Sequence, residues 1–330
     1  MGQDLATLKI RSRKLYVLQV TVAVLAVVYV LWLVDWGHAK EVFADAEVHW
    51  LGVAFGFLLL GFVPAALRWA GLLRALGTAF SRVQAYRTYL TGAFYGLAMP
   101  GVIGGDAARV WFCLRDTKAP LAIIAGTVLA ERALGVVALI IILSMGAYLF
   151  PTESLGAVFA WAPVVALALV VVIVTLPGMF RRLSLLNGLA TSRLNGIWGL
   201  RFRTVLKQVS PIKQLKAGHL LTALALSLVF QAFDILATFA IAQAVSIEVS
   251  IQMLLIAMPI VYLATVLPIS PGGLGVREAT LVIVLTQFGL SASEAALLAV
   301  AVFLNRVAVG LVGAAQHFAS GKGSPAKPAG

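Results

Sequence analysis

Apolar residues in this chain run in blocks too long and too continuous for a water-facing amphipathic helix. Six blocks, 15–34, 50–76, 119–148, 155–177, 217–245 and 294–318, hold so few charges that each predicts a membrane-crossing helix. Two further apolar blocks, 84–113 and 251–290, are interrupted by proline and glycine. Proline removes a helix donor and clashes with the preceding turn, and glycine leaves the helix at little cost, so each block predicts a hairpin of two arms meeting at the break. Some arms fall short of the ~20 residues of a full crossing, which predicts re-entrant hairpins. The pattern therefore reads as all-α: a polytopic membrane helix bundle with six full spans plus two broken, re-entrant hairpins.

Composition agrees and narrows the partners. The chain is 61% hydrophobic with a mean hydropathy of +1.00, more apolar surface than a soluble core of 330 residues absorbs. Only 12% of residues are charged, yet the net charge is +12. The cations lie between apolar spans rather than on a soluble face, which argues against nucleic acid and for anionic lipid headgroups. One cysteine, Cys113, excludes an internal disulfide and a cysteine-based metal site. No cofactor motif is present. His38, His49, His219 and His317 are scattered, and there is neither a P-loop nor a dinucleotide fingerprint.

Lysine and arginine orient the spans. Lys9, Arg11, Arg13 and Lys14 precede the first span, which reads as a retained helix rather than a cleaved signal. The next loop has Asp35, Glu41, Asp45 and Glu47 against Lys40 alone. Arg74, Arg82, Arg87, Arg115 and Lys118 return the chain to the basic side, and the 178–216 linker carries eight further cations from Arg181 to Lys216. Every loop fits a multi-pass protein with both termini cytoplasmic. The linker alternates arginines with Leu, Ile, Trp and Phe, the pattern of a helix lying along the inner membrane surface. Residues 1–318 read as a single membrane domain, and the Gly/Pro/Ala tail 319–330 as disordered.

The two breaks share a pattern, Pro-x3-Gly-Gly-x3-Arg. Pro100, Gly104, Gly105 and Arg109 form the first copy, Pro268, Gly272, Gly273 and Arg277 the second, half the chain away. On the loop assignment the first hairpin enters from the cytoplasm and the second from outside. The unit span–hairpin–span of 50–148 is thus repeated upside down over 217–318, and such inverted repeats generate two-sided access. Arg109 and Arg277 sit just past helix breaks, where free N–H groups already favour an anion. Arginine adds a planar, permanently charged fork suited to phosphate, and the glycines admit a bulky group close to the backbone.

Charge also lies deep within the spans. Arg132 follows Glu131 about 12 residues into its span, a depth of about 18 Å. Arg306 follows Asn305 in the last span, so the two arginines are counterparts. An unpaired arginine there costs at least ~2.5–3.5 kcal/mol. Candidates to offset it are Glu131, Glu278, Asp106, Asp234 and a bound anion. Asp234 stands in the middle of an apolar run. These charges either serve a substrate or simply lock helices together. Arg68-Trp69, near the inner end of the second span, reads as an interface anchor or as a ligand. Ser270, at the second break, has no nearby His or Lys to make it a nucleophile.

At Pro100-Gly101-x2-Gly104-Gly105-Asp106-x2-Arg109, Glu131-Arg132-x2-Gly135 and Ser270-Pro271-Gly272-Gly273-Leu274-Gly275-Val276-Arg277-Glu278, the chain resembles the flippase-like domain family. This is the membrane domain of lysylphosphatidylglycerol synthases, also found in stand-alone relatives. The resemblance covers about residues 10–318. It implies a bacterial inner-membrane protein that moves lipid between leaflets or supports envelope assembly, without naming the cargo. The soluble aminoacyl-transfer domain of the synthases has no counterpart here, so synthase activity is not carried over and the chain is not read as an enzyme.

The leading expectation is a lipid translocase with an Arg/Glu-lined cavity between two broken hairpins. Its partner is a phosphate-containing lipid headgroup, held by Arg109 and Arg277 and passed along Glu131, Arg132, Glu278 and Arg306. The alternatives are an intramembrane enzyme, or a structural partner of a separately encoded lipid-modifying or glycan-assembly enzyme.

Overall fold

The computed structural model describes residues 2–98, 104–149, 168, 214–266 and 270–320. All but residue 168 of the expected span 155–177, nearly all of the 178–216 linker, the prolines of both motif copies and residues 321–330 lie outside the described residues. Those that are described form helices and no strands. In order these are α1 (Gly2–Leu33), α2 (Trp36–Ala44), α3 (Val48–Ala75), α4 (Arg82–Ala98), α5 (Gly104–Thr117), α6 (Leu121–Leu149), α7 (Ala217–Ala244), α8 (Ile251–Val266), α9 (Val276–Gln287) and α10 (Ala292–Ala319).

Four of them, α3, α6, α7 and α10, are long and apolar enough to cross a membrane, and they coincide with four of the expected spans. In α1 the apolar part is Val17–Leu33. The two expected hairpin regions hold α4 and α5, and α8 and α9, whose described lengths are 17, 14, 16 and 12 residues. At 1.5 Å per residue these described stretches run about 18–25 Å. The short helix α2 falls in the acidic loop, where the apolar pattern predicted no element. Many large apolar side chains point outward, among them Leu25, Trp32, Leu60, Ile283 and Leu311. Such a surface is unfavourable in water and fitting in lipid.

Local chemistry sets the helix ends. α4 and α10 begin with reciprocal caps. Ser81 Oγ accepts from the Gln84 N–H and Gln84 Oε1 from the Ser81 N–H, both at 3.1 Å. Ser291 and Glu294 repeat the arrangement at 3.2 and 2.9 Å. Ser250 Oγ accepts from the Met253 N–H at 3.2 Å where α8 starts. Pro64 and Pro259 lie inside α3 and α8. Prolines are tolerated in membrane helices because neighbouring groups re-satisfy the freed backbone.

The chain divides into two compact units. Unit 1 is Met1–Leu58, Gly92–Gly105 and Asp234–Gly330; unit 2 is Leu59–Thr91 and Asp106–Phe233. The described residues of unit 2 form two buried cores. One gathers Ala66, Trp69, Leu73, Phe80, Tyr89, Cys113 and Ile124, the other Leu72, Leu76, Leu134, Val137, Leu220 and Leu224. In unit 1, α9 packs against α1, α8 and α10, and α1 also packs against α10.

Small residues make the close approaches of unit 1. A Cβ at Gly275 would lie 2.7 Å from the Ala23 carbonyl oxygen, and the residue holds φ +77°. Only glycine meets both demands. A Cβ at Gly105 would lie 2.7 Å from the Gly92 carbonyl oxygen, and one at Gly272 would lie 3.1 Å from that of Gly96. Both motif copies therefore rest a glycine on the same strip of α4.

Candidate functional site

In unit 2, α6 carries Glu131 inward, 3% exposed, and three donors converge on its carboxylate. Arg68 Nε donates to Oε1 at 2.9 Å, the Tyr89 hydroxyl to Oε1 at 2.7 Å, and Arg109 Nη2 to Oε2 at 2.6 Å. Arg68 also donates to Ser227 Oγ at 2.7 Å and makes a longer contact with the Tyr89 hydroxyl at 3.4 Å. The Arg109 guanidinium stacks on two rings, its Cζ 3.7 Å from the Tyr89 centroid and 4.4 Å from that of Trp69. Trp69 is held by its indole N–H, which donates to Thr127 Oγ1 at 3.1 Å.

Asp106 extends the network. It lies in the first turn of α5, where the helix dipole favours a carboxylate. It accepts from Arg109 Nη1 at 3.1 Å and pairs with Arg132 Nη2 at 2.7 Å. The Arg132 side chain is 47% exposed, so it marks the open edge of the cluster. Two buried arginines thus face two carboxylates, and the stacked rings shield them from the apolar surroundings. Such a set is stable only while complete, since removing one partner leaves a buried charge uncompensated.

Unit 1 holds a second cluster. Arg306 Nη2 pairs with Asp234 Oδ1 at 3.2 Å. The Tyr262 hydroxyl donates to Asp234 and accepts from Arg306, closing a triangle across α7, α8 and α10. The same Tyr262 ring is faced by Arg306 and Arg277, whose Cζ atoms lie 5.5 and 5.7 Å from its centroid. Arg277 makes no ion pair or hydrogen bond among the described residues, and its buried Nε has no acceptor. Its sequence neighbour Glu278 is also buried, but that carboxylate turns to the Gly275 N–H at 2.7 Å and caps α9. Ser270 Oγ, Asn305 Nδ2 and Arg306 Nε are likewise buried without a partner.

The expected site residues therefore fall into two sets. Arg68, Asp106, Arg109, Glu131 and Arg132 meet in unit 2. Asp234 and Arg306 meet in unit 1, with Arg277 facing the same tyrosine. Gly104 and Gly105 open α5 against α4, and Gly272 and Gly273 turn the chain at φ +62° and +75°. Ser270, Glu278 and Asn305 join no ion pair among the described residues. Arg68 and Trp69 do not behave as an interface anchor: they are only 8% and 0% exposed, because Glu131 and Thr127 draw them inward.

Sequence reasoning missed Tyr89, Tyr262 and Ser227. A signal existed for the tyrosines, since each stands in the apolar first arm of a hairpin where a hydroxyl needs a partner. Among the described residues no group of His, Cys, Asp and Glu could hold a metal ion. The donor-rich clusters suit anions instead.

No curated protein matches the chain. A family model does: the lysylphosphatidylglycerol synthase TM region matches residues 16–313, nearly the whole sequence and both clusters. The chain is a multi-pass membrane protein that belongs to this family.

Proposed function

We propose that this protein is a lipid translocase, moving a phospholipid or another anionic, amphiphilic envelope lipid between leaflets. The observation that supports it most is the sharing of Glu131 by Arg68, Arg109 and Tyr89. A carboxylate bound by two arginines can yield one of them to a headgroup phosphate while the other keeps it neutralised. Charge then moves through an apolar interior with no step that leaves an ion bare, the step that would cost most. The guanidinium fork suits phosphate in the same bidentate way as carboxylate. Acyl chains stay in the bilayer, because protein offers them little that lipid does not.

The family supports lipid as the cargo class and a bacterial inner membrane as the location. The loop charges support cytoplasmic termini. The two hairpin regions are read as re-entrant elements of an inverted repeat. No energy source is assigned.

The test is transbilayer exchange of a headgroup-labelled phospholipid in vesicles carrying purified protein, read as the fraction of label exposed to a membrane-impermeant quencher. Wild type should expose inner-leaflet label well above protein-free vesicles. Arg109→Lys, which keeps the charge but loses the fork, should slow exchange at least tenfold. Unchanged exchange in Arg109→Lys and Arg277→Gln together sinks the reading.

A structural role beside a separately encoded lipid-modifying enzyme is the second reading. It is favoured by the completeness of the Glu131 network, which needs no substrate to be satisfied. It predicts that the same variants alter stability or partner binding with no lipid exchange to lose.

A further inference from the structure

The two copies of the motif differ in what surrounds their arginine. Asp106, three residues before Arg109, corresponds to Leu274, three before Arg277. Glu131, directly before Arg132, corresponds to Asn305, directly before Arg306. Both carboxylates that engage Arg109 are therefore neutral in the second copy. We propose that the Arg277 cluster is a seat for an exogenous oxyanion, a phosphate-type group, whereas in the Arg109 cluster that place is taken at rest by its own carboxylates.

Unit 1 supports this with an excess of donors. Arg277 Nε, Arg306 Nε and Asn305 Nδ2 are buried with hydrogens to give and no acceptor, and Ser270 Oγ is unpartnered at a residue 2% exposed. Among the described residues of unit 2 the corresponding orphan is Arg109 Nε alone. Unsatisfied buried donors are costly, and guanidinium donors more so than neutral ones. The internal carboxylates do not relieve Arg277. Asp234 is engaged by Tyr262 and Arg306, and Glu278 by the Gly275 N–H. Tyr262 offers Arg277 a ring face and no second charge. Gly273 brings its backbone beside the guanidinium: a Cβ there would sit 3.6 Å from Arg277 Nη2, with the Thr265 side chain packed closer still at 3.0 Å. An oxyanion with three acceptor oxygens matches a guanidinium fork.

The source is a lipid headgroup or free phosphate. The first rests on the translocation reading; oxyanion binding itself does not. Full-length protein in a phosphate-free maltoside detergent is titrated calorimetrically with inorganic phosphate and, separately, with dihexanoyl phosphatidylglycerol. Chloride at equal ionic strength is the control. Wild type should bind at least one of the two. Arg277→Gln should weaken that binding at least tenfold. Asn305→Asp, near-isosteric and supplying the missing charge, should weaken it comparably, as should Leu274→Asp at a position 37% exposed. Thermal unfolding of each variant confirms a folded sample, and the exposed position keeps the test alive should the two buried variants not fold.

Binding of lipid alone identifies a headgroup, binding of both identifies the oxyanion itself, and binding of inorganic phosphate alone identifies a free anion; each supports the seat. Binding of neither, or equal binding by wild type and all folded variants, overturns it. Loss of vesicle exchange with retained binding would remove the translocation reading and leave the seat standing.

Discussion

The Glu131 and Asp234 clusters are built from the same parts with the charges exchanged. In unit 2 the arginine stands on α3 (Arg68) and the acid on α6 (Glu131). In unit 1 the acid stands on α7 (Asp234) and the arginine on α10 (Arg306). In each case one of these helices precedes a copy of the motif and the other follows it. Each pair is bridged by a tyrosine hydroxyl from a hairpin arm, Tyr89 or Tyr262. The hairpin arginine completes the first cluster, because Arg109 finds Glu131 and Asp106. With the polarity reversed, Arg277 faces the cationic end of its pair across the ring of Tyr262. The difference teaches that duplicated arginines need not have duplicated roles. At rest one is engaged by internal carboxylates, and the other is left with donors to spare.

The sharpest way to break that comparison is to remove each acid in turn. Glu131→Gln leaves Arg68 and Arg109 buried with one counter-charge fewer, a loss of about 3–5 kcal/mol. Purified protein should then melt far below wild type or fail to accumulate. Asp234→Asn takes a counter-charge from one arginine rather than from two, so its melting point should fall distinctly less. Equal losses would mean that the clusters carry the same structural weight.

A smaller effect is expected from Gly275→Ala. The added Cβ would meet the Ala23 carbonyl oxygen at 2.7 Å and the residue would keep φ +77°. Backbone strain of this kind costs about 1–3 kcal/mol. Gly135→Ala in α6, where a Cβ meets nothing within 4 Å, should stabilise by up to about 1 kcal/mol. Thermal melts of the pair separate a glycine required by unit 1 from one that the helix merely tolerates.

Much of this was legible in the sequence, and the limits have physical causes. Hydrophobic length marks a membrane helix without help from tertiary packing, so α3, α6, α7 and α10 could be read directly. Proline and glycine act on the local backbone, so the turn at Gly272 and Gly273 before α9 was also readable. Intramembrane charge is rare enough to single out Glu131, Asp234 and Arg306, but which partner each takes depends on helix rotation and packing. Asp234 and Glu278 were both open as partners for the deep arginines; the first takes Arg306 and the second a backbone N–H. Tyr89, Tyr262 and Ser227 escaped notice because an aromatic or serine inside an apolar run has many unremarkable uses. Trp69 read as an interface residue because its sequence position near a span end says nothing of the face it takes.

The finest test of the comparison is the pair of tyrosine hydroxyls. Tyr89→Phe removes a 2.7 Å hydrogen bond from Glu131, which still keeps two arginines. The ring that stacks on Arg109 remains, so the loss should be about 1 kcal/mol, the ordinary net worth of one hydrogen bond. In Tyr262→Phe the hydroxyl lost is the one that both donates to Asp234 and accepts from Arg306, while their direct contact is only 3.2 Å. Losing both roles at once should cost more than Tyr89→Phe, although the ring facing Arg277 is kept. If the Arg277 seat takes an oxyanion, added phosphate or phosphatidylglycerol should recover part of the melting-point loss in Tyr262→Phe and none in Tyr89→Phe. Recovery of both variants alike would show that the two clusters are equally open, and the distinction between a closed and an open copy would fall.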